Sequence, residues 1–275
     1  MALLELERVD AHVAFDENQC RAAGAALAEK YRNADPFPHI VLDDFIEART
    51  ISQIREAFPD RGNKAFFDRD QERLKYQFHP RESESGLLRN LMAELNGEAF
   101  LTFLEEMTGI EGLVSDPYFV GGGMHETRRG GHLAVHADFN THPKLQLQRR
   151  LNLIIYLNED WDPQFGGNLE LWDRQMKRCG QSVAPLAGRA VVFSTDLHSY
   201  HGHPDPLTCP EDRSRRSIAT YYYTAFADGR GGVPERGTNF QKRPGKGERT
   251  DWATKKLHFI NDWVPPALRR MLRRA

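Results

Sequence analysis

The chain has 275 residues, of which 40% are hydrophobic and 28% charged, and its formal net charge is −2. These values fit one large globular domain, or one with extensions, and exclude a general polyanion binder, so no nucleic-acid partner is expected. No apolar stretch reaches the roughly 18 residues that a membrane span needs, and the acidic start of the chain is unlike a signal peptide. The three cysteines are an odd number and widely spaced, which predicts reduced thiols and a cytoplasmic location.

The first region, residues 1–114, is predicted to be a mixed, mainly helical support region. A helix is expected to begin after Asp16, a residue typical of N-caps, and to run through DENQCRAAGAALAEKYRNA. PHIVLDDFI predicts a strand, and ARTISQIREAF predicts a second helix that ends before Pro59. The 3.6-residue periodicity of ESGLLRNLMAELNGEAFLTFLEEMTG predicts one or two further helices, which end at Gly109.

From residue 115 to residue 226 the sequence changes to short β-rich runs separated by turns. The runs are PYFVGG, HLAVHADF, RLNLIIYLN, NLELW, RAVVFS and SIATYYYTAF. Short strands at this spacing, bounded by Gly, Pro and Asp, predict a β-sandwich or a small barrel. The predicted fold class is therefore mainly β with flanking helices.

The third region, residues 227–275, has a different character. Its polar, glycine-rich segment 228–249 predicts a loop or a disordered lid. The tail after this segment returns to a helical pattern, which Pro265 and Pro266 interrupt. We interpret the three regions as parts of one integrated domain.

A His-x-Asp triplet, His136 and Asp138, ends the strand-like run HLAV. A chain with 11 histidines and 39 acidic residues holds about one or two His-x-acid triplets by chance, so the pattern alone is weak. The other triplet, His203-Pro204-Asp205, lies between prolines and is interpreted as a loop. Residues two apart on a strand point to the same face, about 7 Å apart, so His136 and Asp138 are placed to bind one metal ion.

A third metal ligand is expected from the segment DLHSYHGHPDP, which contains His198, His201 and His203. Two histidines and one carboxylate on one face of a metal leave other positions open. This arrangement is typical of non-haem Fe(II), which binds further ligands at the open positions.

The strand-like run RRSIATYYY contains a candidate receiver for a buried carboxylate. Arg215 and Ser217 share a face by alternation, while Arg216 points the other way. A guanidinium offers paired donors in a planar fork, which suits a carboxylate. Tyr156, in RLNLIIYLN, is placed to add a phenol, and alternation puts it on the face of Asn152.

Five motifs in a fixed order give this chain a resemblance to a known family: HAD, RRLNLIIYLNEDWDPQFGGNLELW, PLAGRAVVF, YHGHPDPL and RRSIATYYYT. Over roughly residues 115–226 the chain resembles the Fe(II)- and 2-oxoglutarate-dependent oxygenases, specifically the prolyl 4-hydroxylase-like group. The resemblance implies a double-stranded β-helix, or jelly-roll, core. It implies a dioxygenase that uses Fe(II), 2-oxoglutarate and O₂, with ascorbate as an optional reductant, to hydroxylate a C–H bond and release succinate and CO₂.

The resemblance also implies the roles of individual residues. His136, Asp138 and His201 match the family's iron ligands, and His201 is preferred over its neighbours because it precedes the glycine of the HG pattern. Arg215 matches the residue that binds the far carboxylate of 2-oxoglutarate, and Tyr156 matches a tyrosine that assists it in some members.

Two departures from the family pattern leave alternatives open. The distance from His201 to Arg215 is 14 residues, longer than usual, with PLTCPED as an apparent insertion, so either Arg215 or Arg216 could bind the oxo-acid. The strand before the metal pair often carries a tyrosine near the cosubstrate. Here that strand reads GGMHETRRGG, so His125 or no residue takes the role.

The substrate is expected to be an amino acid, a peptidyl residue or another small metabolite. The segment 140–148 and the basic residues Arg149 and Arg150 follow the metal pair and are candidate substrate contacts, together with His125. Two functions are alternatives to the hydroxylase. One is a non-catalytic jelly-roll module that keeps a metal for structure, and the other is a metal cupin enzyme that does not use 2-oxoglutarate. An oxo-acid arginine argues against the first, and the absence of an evident extra histidine ligand argues against the second.

Overall fold

The computed structural model describes residues 2–9, 12–61, 65–227 and 235–248. Within these residues the helices are α1 (Glu17–Arg32), α2 (Ala48–Glu56), α3 (Gly86–Glu94) and α4 (Glu98–Thr108). The strands are β1 (Leu6–Val9), β2 (His12–Phe15), β3 (His39–Leu42), β4 (Ala65–Arg69), β5 (Glu72–Phe78), β6 (Val114–Ser115), β7 (Gly123–Ala137), β8 (Gln148–Tyr156), β9 (Leu169–Trp172), β10 (Cys179–Val183), β11 (Ala190–Ser194), β12 (His201–His203), β13 (Ser214–Thr224) and β14 (Asn239–Phe240). None of the described helices is both long and apolar enough to cross a membrane.

The helix ends follow from local sequence signals. Asp16 caps α1, because its carboxylate accepts a hydrogen bond from the Gln19 amide at 2.7 Å. Gly109 ends α4 in the left-handed conformation, with φ 72°. The α1 and α4 helices pack against each other closely, and a Cβ at Gly24 would collide with the backbone carbonyl of Phe103. The helices predicted for residues 1–114 are confirmed, with the long helical pattern after residue 84 divided into α3 and α4.

A large antiparallel sheet curls into the core of the molecule. Its strands run in the order β10-β9-β12-β7-β13-β8-β11-β3, with β5 and β14 also paired to β7. The 15-residue strand β7 pairs with β13 along its first half, with β5 as far as Leu133, and with β12 along its last residues. The predicted class, mainly β with flanking helices, is confirmed.

The two faces of β8 separate two cores. Leu151, Leu153 and Ile155 belong to the large apolar cluster that includes the helices. Tyr156 belongs to a second cluster inside the curled sheet, together with Leu169, Leu171 and Phe193 at its centre. One core therefore joins the helices of the first region to the strands of the second. The other core, inside the curl, supports the residues predicted to form the site.

Some predicted elements are wrong or incomplete. PYFVGG is not a strand, because Asp116 accepts hydrogen bonds from the amides of Tyr118 and Val120 at 2.8 and 2.7 Å and closes this segment into turns. HLAVHADF is the end of the long strand β7. The hairpin of β4 and β5 lies in the region predicted to be mainly helical, and β10 adds an edge strand that the sequence pattern did not indicate.

Part of the predicted loop 228–249 is described. Residues 235–248 contain the short strand β14 and pass across the end of β7. Residues 228–234 and 249–275, including the predicted C-terminal helices, lie outside the described residues.

Candidate active site

Two neighbouring strands bring together three candidate metal ligands. His136 lies near the end of β7, Asp138 follows directly after it, and His201 begins β12, where it pairs with His136. The His136 Nε2 atom lies 3.5 Å from Asp138 Oδ1, and the His201 Nε2 atom lies 3.4 Å from Asp138 Oδ2. Among the residues that the structure describes, these form the one group of histidine, cysteine and carboxylate side chains arranged to hold a metal.

Backbone carbonyls fix which nitrogen of each histidine faces the metal position. The Nδ1 atom of His136 donates to the Ala134 carbonyl at 2.9 Å, and that of His201 donates to the Ser199 carbonyl at 3.0 Å. Since a carbonyl only accepts, each Nδ1 carries the proton and each Nε2 keeps its lone pair for a metal. The residues present therefore fit Fe(II).

The charges around the triad favour the metal-binding forms. Burial alone would raise the pKa of Asp138, but Arg149 and the two histidines hold that pKa well below its usual range. Burial lowers the pKa of His201 to about 4, although Asp138 opposes the shift. At neutral pH the triad thus offers a carboxylate and a neutral imidazole from these two residues.

The other two histidines of the predicted segment have different places. His198 is exposed and lies away from the triad. The sequence predicts a loop at His203, and this prediction is wrong. His203 is the last residue of β12, because its backbone pairs with Leu133 of β7 up to the position before Pro204. Its side chain is buried and lines the cavity without joining the metal group.

A buried arginine lies at the far end of the same cavity. Arg215 Nε donates to the Gly167 carbonyl at 2.7 Å, and its Nη2 donates to the Tyr156 hydroxyl at 3.2 Å. Ser217 lies directly opposite Tyr156 in the sheet. Gly167 has a φ of 76°, and a Cβ there would lie 3.0 Å from Arg215 Cδ and nearer still to Leu207, so only glycine leaves room for the guanidinium.

The structure separates Arg215 from Arg216 as alternation predicts. Arg216 points out of the cavity, with its guanidinium 3.2 Å from Glu126 and over the ring of Phe58. The PLTCPED insertion does not change which face Arg215 occupies, because Ser217 pairs with Tyr156 and Arg215 lines the cavity. Of the two arginines, only Arg215 lines the cavity.

The Arg215 end of the cavity has the chemistry of an anion site. Arg215 forms no ion pair with any carboxylate among the described residues. Burial without such a partner disfavours the charged guanidinium and lowers its pKa. The Nε2 atom of His125 and the Nδ1 atom of His203 are buried without a hydrogen-bond partner. Burial, followed by repulsion from Arg215 and Lys75, holds the pKa of both histidines well below the usual value. Arg215 would pair with a carboxylate of a dianionic oxo-acid, and the neutral rings could donate to it in the tautomers that carry the proton on these two nitrogens, so the residues present fit 2-oxoglutarate.

The cavity that joins the two ends has a volume of about 370 Å³. Its walls include residues of β4, β5 and the segment 235–248 that the sequence did not single out: Phe67, Arg69, Glu72, Lys75, Gln77, Thr238 and Phe240. Glu72 lies 2.8 Å from Lys75 and 2.9 Å from Arg69, and these two cations outweigh burial in lowering its pKa. The β4–β5 hairpin therefore supplies a charged wall next to the metal position.

The two arginines predicted as substrate contacts differ in position. Arg149 lines the cavity and is buried, with its Nη2 atom 3.0 Å from Asp138 Oδ2. Arg150 does not line it, and donates to Thr224 Oγ1 at 3.2 Å instead. Alternation along β8 would place Arg150 on the cavity face of Asn152. The register of β8 against β13 shifts here, because Tyr222 pairs with Leu151 and Tyr223 with Arg149, and this shift brings Arg149 to the site instead. Asn152, on the same face, donates to Asp138 at 2.8 Å.

The triad and Arg215 lie within a stretch that known proteins share. A family model described as the 2OG-Fe(II) oxygenase superfamily matches residues 122–223, which include the triad and Arg215. Residues 122–223 match the core of this superfamily. The predicted resemblance to the Fe(II)- and 2-oxoglutarate-dependent oxygenases is thereby confirmed.

Relatives and solved structures agree with this oxygenase core. A mouse protein described as prolyl 3-hydroxylase OGFOD1 is 27% identical over 200 residues, which cover 69% of this chain and 33% of the mouse protein. The chain thus spans about a third of the length of this relative. The crystal structure of a Pseudomonas putida prolyl-4-hydroxylase has a TM-score of 0.51 and 18% identity, covering 74% of this chain and 99% of that chain. A Trichoplax adhaerens prolyl hydroxylase, solved with a hypoxia inducible factor peptide, has a TM-score of 0.52 and 14% identity, covering 75% and 91%.

These structures share the fold of this chain. The predicted jelly-roll core is therefore confirmed, with its nearly closed antiparallel sheet around the cavity. Sequence reasoning missed Gly167 and the cavity-facing residues of β5. Gly167 could have been found only from its contact with Arg215, since a Gly-Gly pair alone indicates no more than a turn.

Proposed function

We propose that this protein is an Fe(II)- and 2-oxoglutarate-dependent dioxygenase that hydroxylates an aliphatic C–H bond and releases succinate and CO₂. The observation that carries this proposal is one cavity with two ends. One end holds three candidate metal ligands, and the other holds the buried Arg215, which forms no ion pair with any carboxylate in the described part of the chain. A structural metal site has no need of such a cation, so the non-catalytic module is disfavoured.

Each group of the chain has a separate task in this reaction. His136, Asp138 and His201 would hold Fe(II), and the bound metal with its oxo-acid and O₂ supplies the oxidising chemistry. Arg215 and the Tyr156 hydroxyl would orient the far carboxylate of 2-oxoglutarate and offset its desolvation. The apolar cluster inside the curled sheet excludes water from this end.

A peptidyl residue, and specifically a prolyl side chain, is the substrate we propose. The names of the mouse relative and of the two solved structures support a prolyl substrate. The cavity supports it too, because aromatic rings of Phe67, Phe139, Tyr221 and Phe240 line it and favour an aliphatic ring. A free amino acid or another small metabolite is the competing outcome.

A panel experiment tests the substrate class. The protein with Fe(II), 2-oxoglutarate and ascorbate would receive proline-containing peptides, free proline, other amino acids and small carboxylates, with succinate as the readout. We expect peptides to raise succinate release above the substrate-free rate, and mass spectrometry to show a gain of one oxygen on proline. Stimulation by free amino acids alone would contradict the peptidyl proposal, and Arg215→Ala should abolish stimulation by any member.

We also propose a cytoplasmic location. The cysteines support it: all three are free, with Cys20 and Cys209 buried, as expected of reduced thiols. Detection of the tagged protein in a cytosolic fraction would test this location.

A further inference from the structure

Residues 235–248, which we name the strap, cross the metal-ligand end of β7. In the strap, Phe240 pairs with His136 in the antiparallel register of β14 and β7. The Gln241 amide continues this pairing by donating to the Val135 carbonyl at 2.8 Å. The strap therefore follows the backbone that carries the first metal ligand.

The strap occupies the edge of β7 that the β4–β5 hairpin leaves free. Pairing of β5 with β7 reaches Leu133, opposite Glu72, and the Ala134 amide still donates to the Gln71 carbonyl at 2.8 Å. Beyond this point β14 takes the same edge, since β12 holds the other. Hairpin and strap thus form one continuous wall beside the metal position.

The ring of Phe240 is the part of the strap that faces the site. Its centroid lies 5.4 Å from that of His136, and both Phe240 and Thr238 line the cavity. The Arg69 guanidinium lies 5.9 Å from the same ring. The hydrogen bonds of Arg215 go to Gly167 and Tyr156 and not to the strap, so Phe240 belongs to the metal end and not to the oxo-acid end.

A buried arginine fixes the strap to the sheet. Arg243 has only 7% of its side chain exposed and lies 2.8 Å from Asp205 and 3.6 Å from Glu170. Its Nε atom also donates to Glu248, within the strap, at 2.6 Å. Asp205 lies between β12 and β13, and Glu170 lies on β9, so one cation joins the strap to two parts of the barrel.

We propose that Phe240 forms the apolar wall of the substrate subsite above the metal ligands, and that Arg243 latches the strap in this position. The ring would contact the hydrocarbon part of the substrate that carries the reacting C–H bond and exclude water from it. This inference rests on the proposed oxygenase function, and adds a specific residue and a specific latch to it.

Water access to bound Mn(II) tests the wall without any substrate. The protein would be loaded with Mn(II) and 2-oxoglutarate, and the longitudinal relaxation of water protons measured for wild type, Phe240→Ala and Phe66→Ala. Phe66 is the matched control, because its ring is 45% exposed and does not line the cavity. We expect faster relaxation per bound Mn(II) in Phe240→Ala alone, with unchanged affinity for Mn(II). Equal relaxation in all three proteins would contradict the wall.

Hydrogen exchange tests the latch. In Arg243→Ala the Gln241 amide should exchange about tenfold faster or more, since breaking a buried ion pair frees the local segment to open. Lys242→Ala, at an exposed neighbour, should leave exchange unchanged. If Arg243→Ala does not fold, Asp205→Asn removes one partner and should give a smaller acceleration in the same direction. Unchanged exchange in a folded latch variant would contradict the latch.

The two levels of the proposal can fail separately. If wild type binds no Mn(II), the proposed oxygenase fails, and the wall fails with it. If wild type binds Mn(II) and 2-oxoglutarate but Phe240→Ala behaves as wild type, only the wall is wrong.

Discussion

Arg149 forms an ion pair with Asp138, with 3.0 Å between Nη2 and Oδ2. The guanidinium is fully buried between two rings, 3.5 Å from the ring centroid of Tyr221 and 4.6 Å from that of Phe139. Asn152 accepts from Arg149 and donates to Asp138, so both neighbours bind the same carboxylate oxygen. Oδ1 is left for the metal, which makes Arg149 a positioning residue for this ligand.

Replacing Arg149 should therefore have an effect that depends on the metal. In Arg149→Met the metal-free protein keeps a buried carboxylate without its cation, and we expect a loss of about 3–5 kcal/mol in the free energy of unfolding. Saturating Mn(II) should recover part of this loss, because the metal supplies positive charge to the same carboxylate. Urea denaturation with and without Mn(II) measures both values. Arg150→Met, at the neighbour that leaves the cavity, is the control, and an Arg149→Met deficit that Mn(II) does not change would show that the residue serves packing alone.

The two adjacent arginines of β13 should differ sharply in their effect on the cosubstrate. Arg215→Ala is expected to weaken 2-oxoglutarate binding to the Mn(II) protein by on the order of 2–5 kcal/mol, because a buried charge-assisted pair is lost. Arg216→Ala should leave the affinity unchanged and affect stability through Glu126 and Phe58. Calorimetric titration of both variants makes the comparison. A reversed result would place the strand one residue out of register.

His125 should show opposite effects on stability and on binding. Its Nε2 atom is buried and unpartnered, so His125→Phe removes an unsatisfied polar atom while it keeps a ring. The free energy of unfolding without ligands should stay equal or rise. The affinity for 2-oxoglutarate should fall by about 1–3 kcal/mol, because the neutral ring, with its proton on Nε2, would donate a hydrogen bond to the bound oxo-acid. A variant that loses stability but binds 2-oxoglutarate normally would assign His125 to packing.

The triad variants test the ligand assignment itself. His136→Ala, Asp138→Ala and His201→Ala should each lose tight Mn(II) binding, because each removes one of three ligands. His198→Ala should retain it, since His198 is exposed and distant from the group. Retained affinity in His201→Ala, together with loss in His203→Ala, would overturn the choice of the third ligand.

Much of this site could be predicted because strand alternation is a strong local rule. The i, i+2 spacing put His136 beside Asp138, Arg215 beside Ser217, and Tyr156 on the inner face of β8. The same rule would have turned Arg149 away from the site, because this residue lies three positions before Asn152, and only the register shift at Arg150 brings it to Asp138. The third ligand and the family roles came from motif order and not from spacing.

What the sequence did not indicate depends on contacts between distant segments. The β4–β5 hairpin reads as polar and charged, and its cavity-facing Lys75 and Glu72 are stable inside only because they neutralise each other. Phe240 lies in a polar, glycine-rich segment whose position comes from pairing with β7 and from Arg243. PYFVGG has strand-forming residues, but the Asp116 carboxylate closes it into turns.

We expect one cavity to hold Fe(II) and 2-oxoglutarate together for oxidation by O₂. The most direct test mixes the protein anaerobically with Fe(II) and 2-oxoglutarate, records the visible spectrum, and then admits air while succinate is measured. We predict a weak metal-to-ligand charge-transfer band that is absent in His201→Ala and Arg215→Ala, followed by slow succinate release even without substrate. If no band forms and no succinate appears with or without candidate substrates, while the protein is folded and Fe(II) is present, the oxygenase account is contradicted.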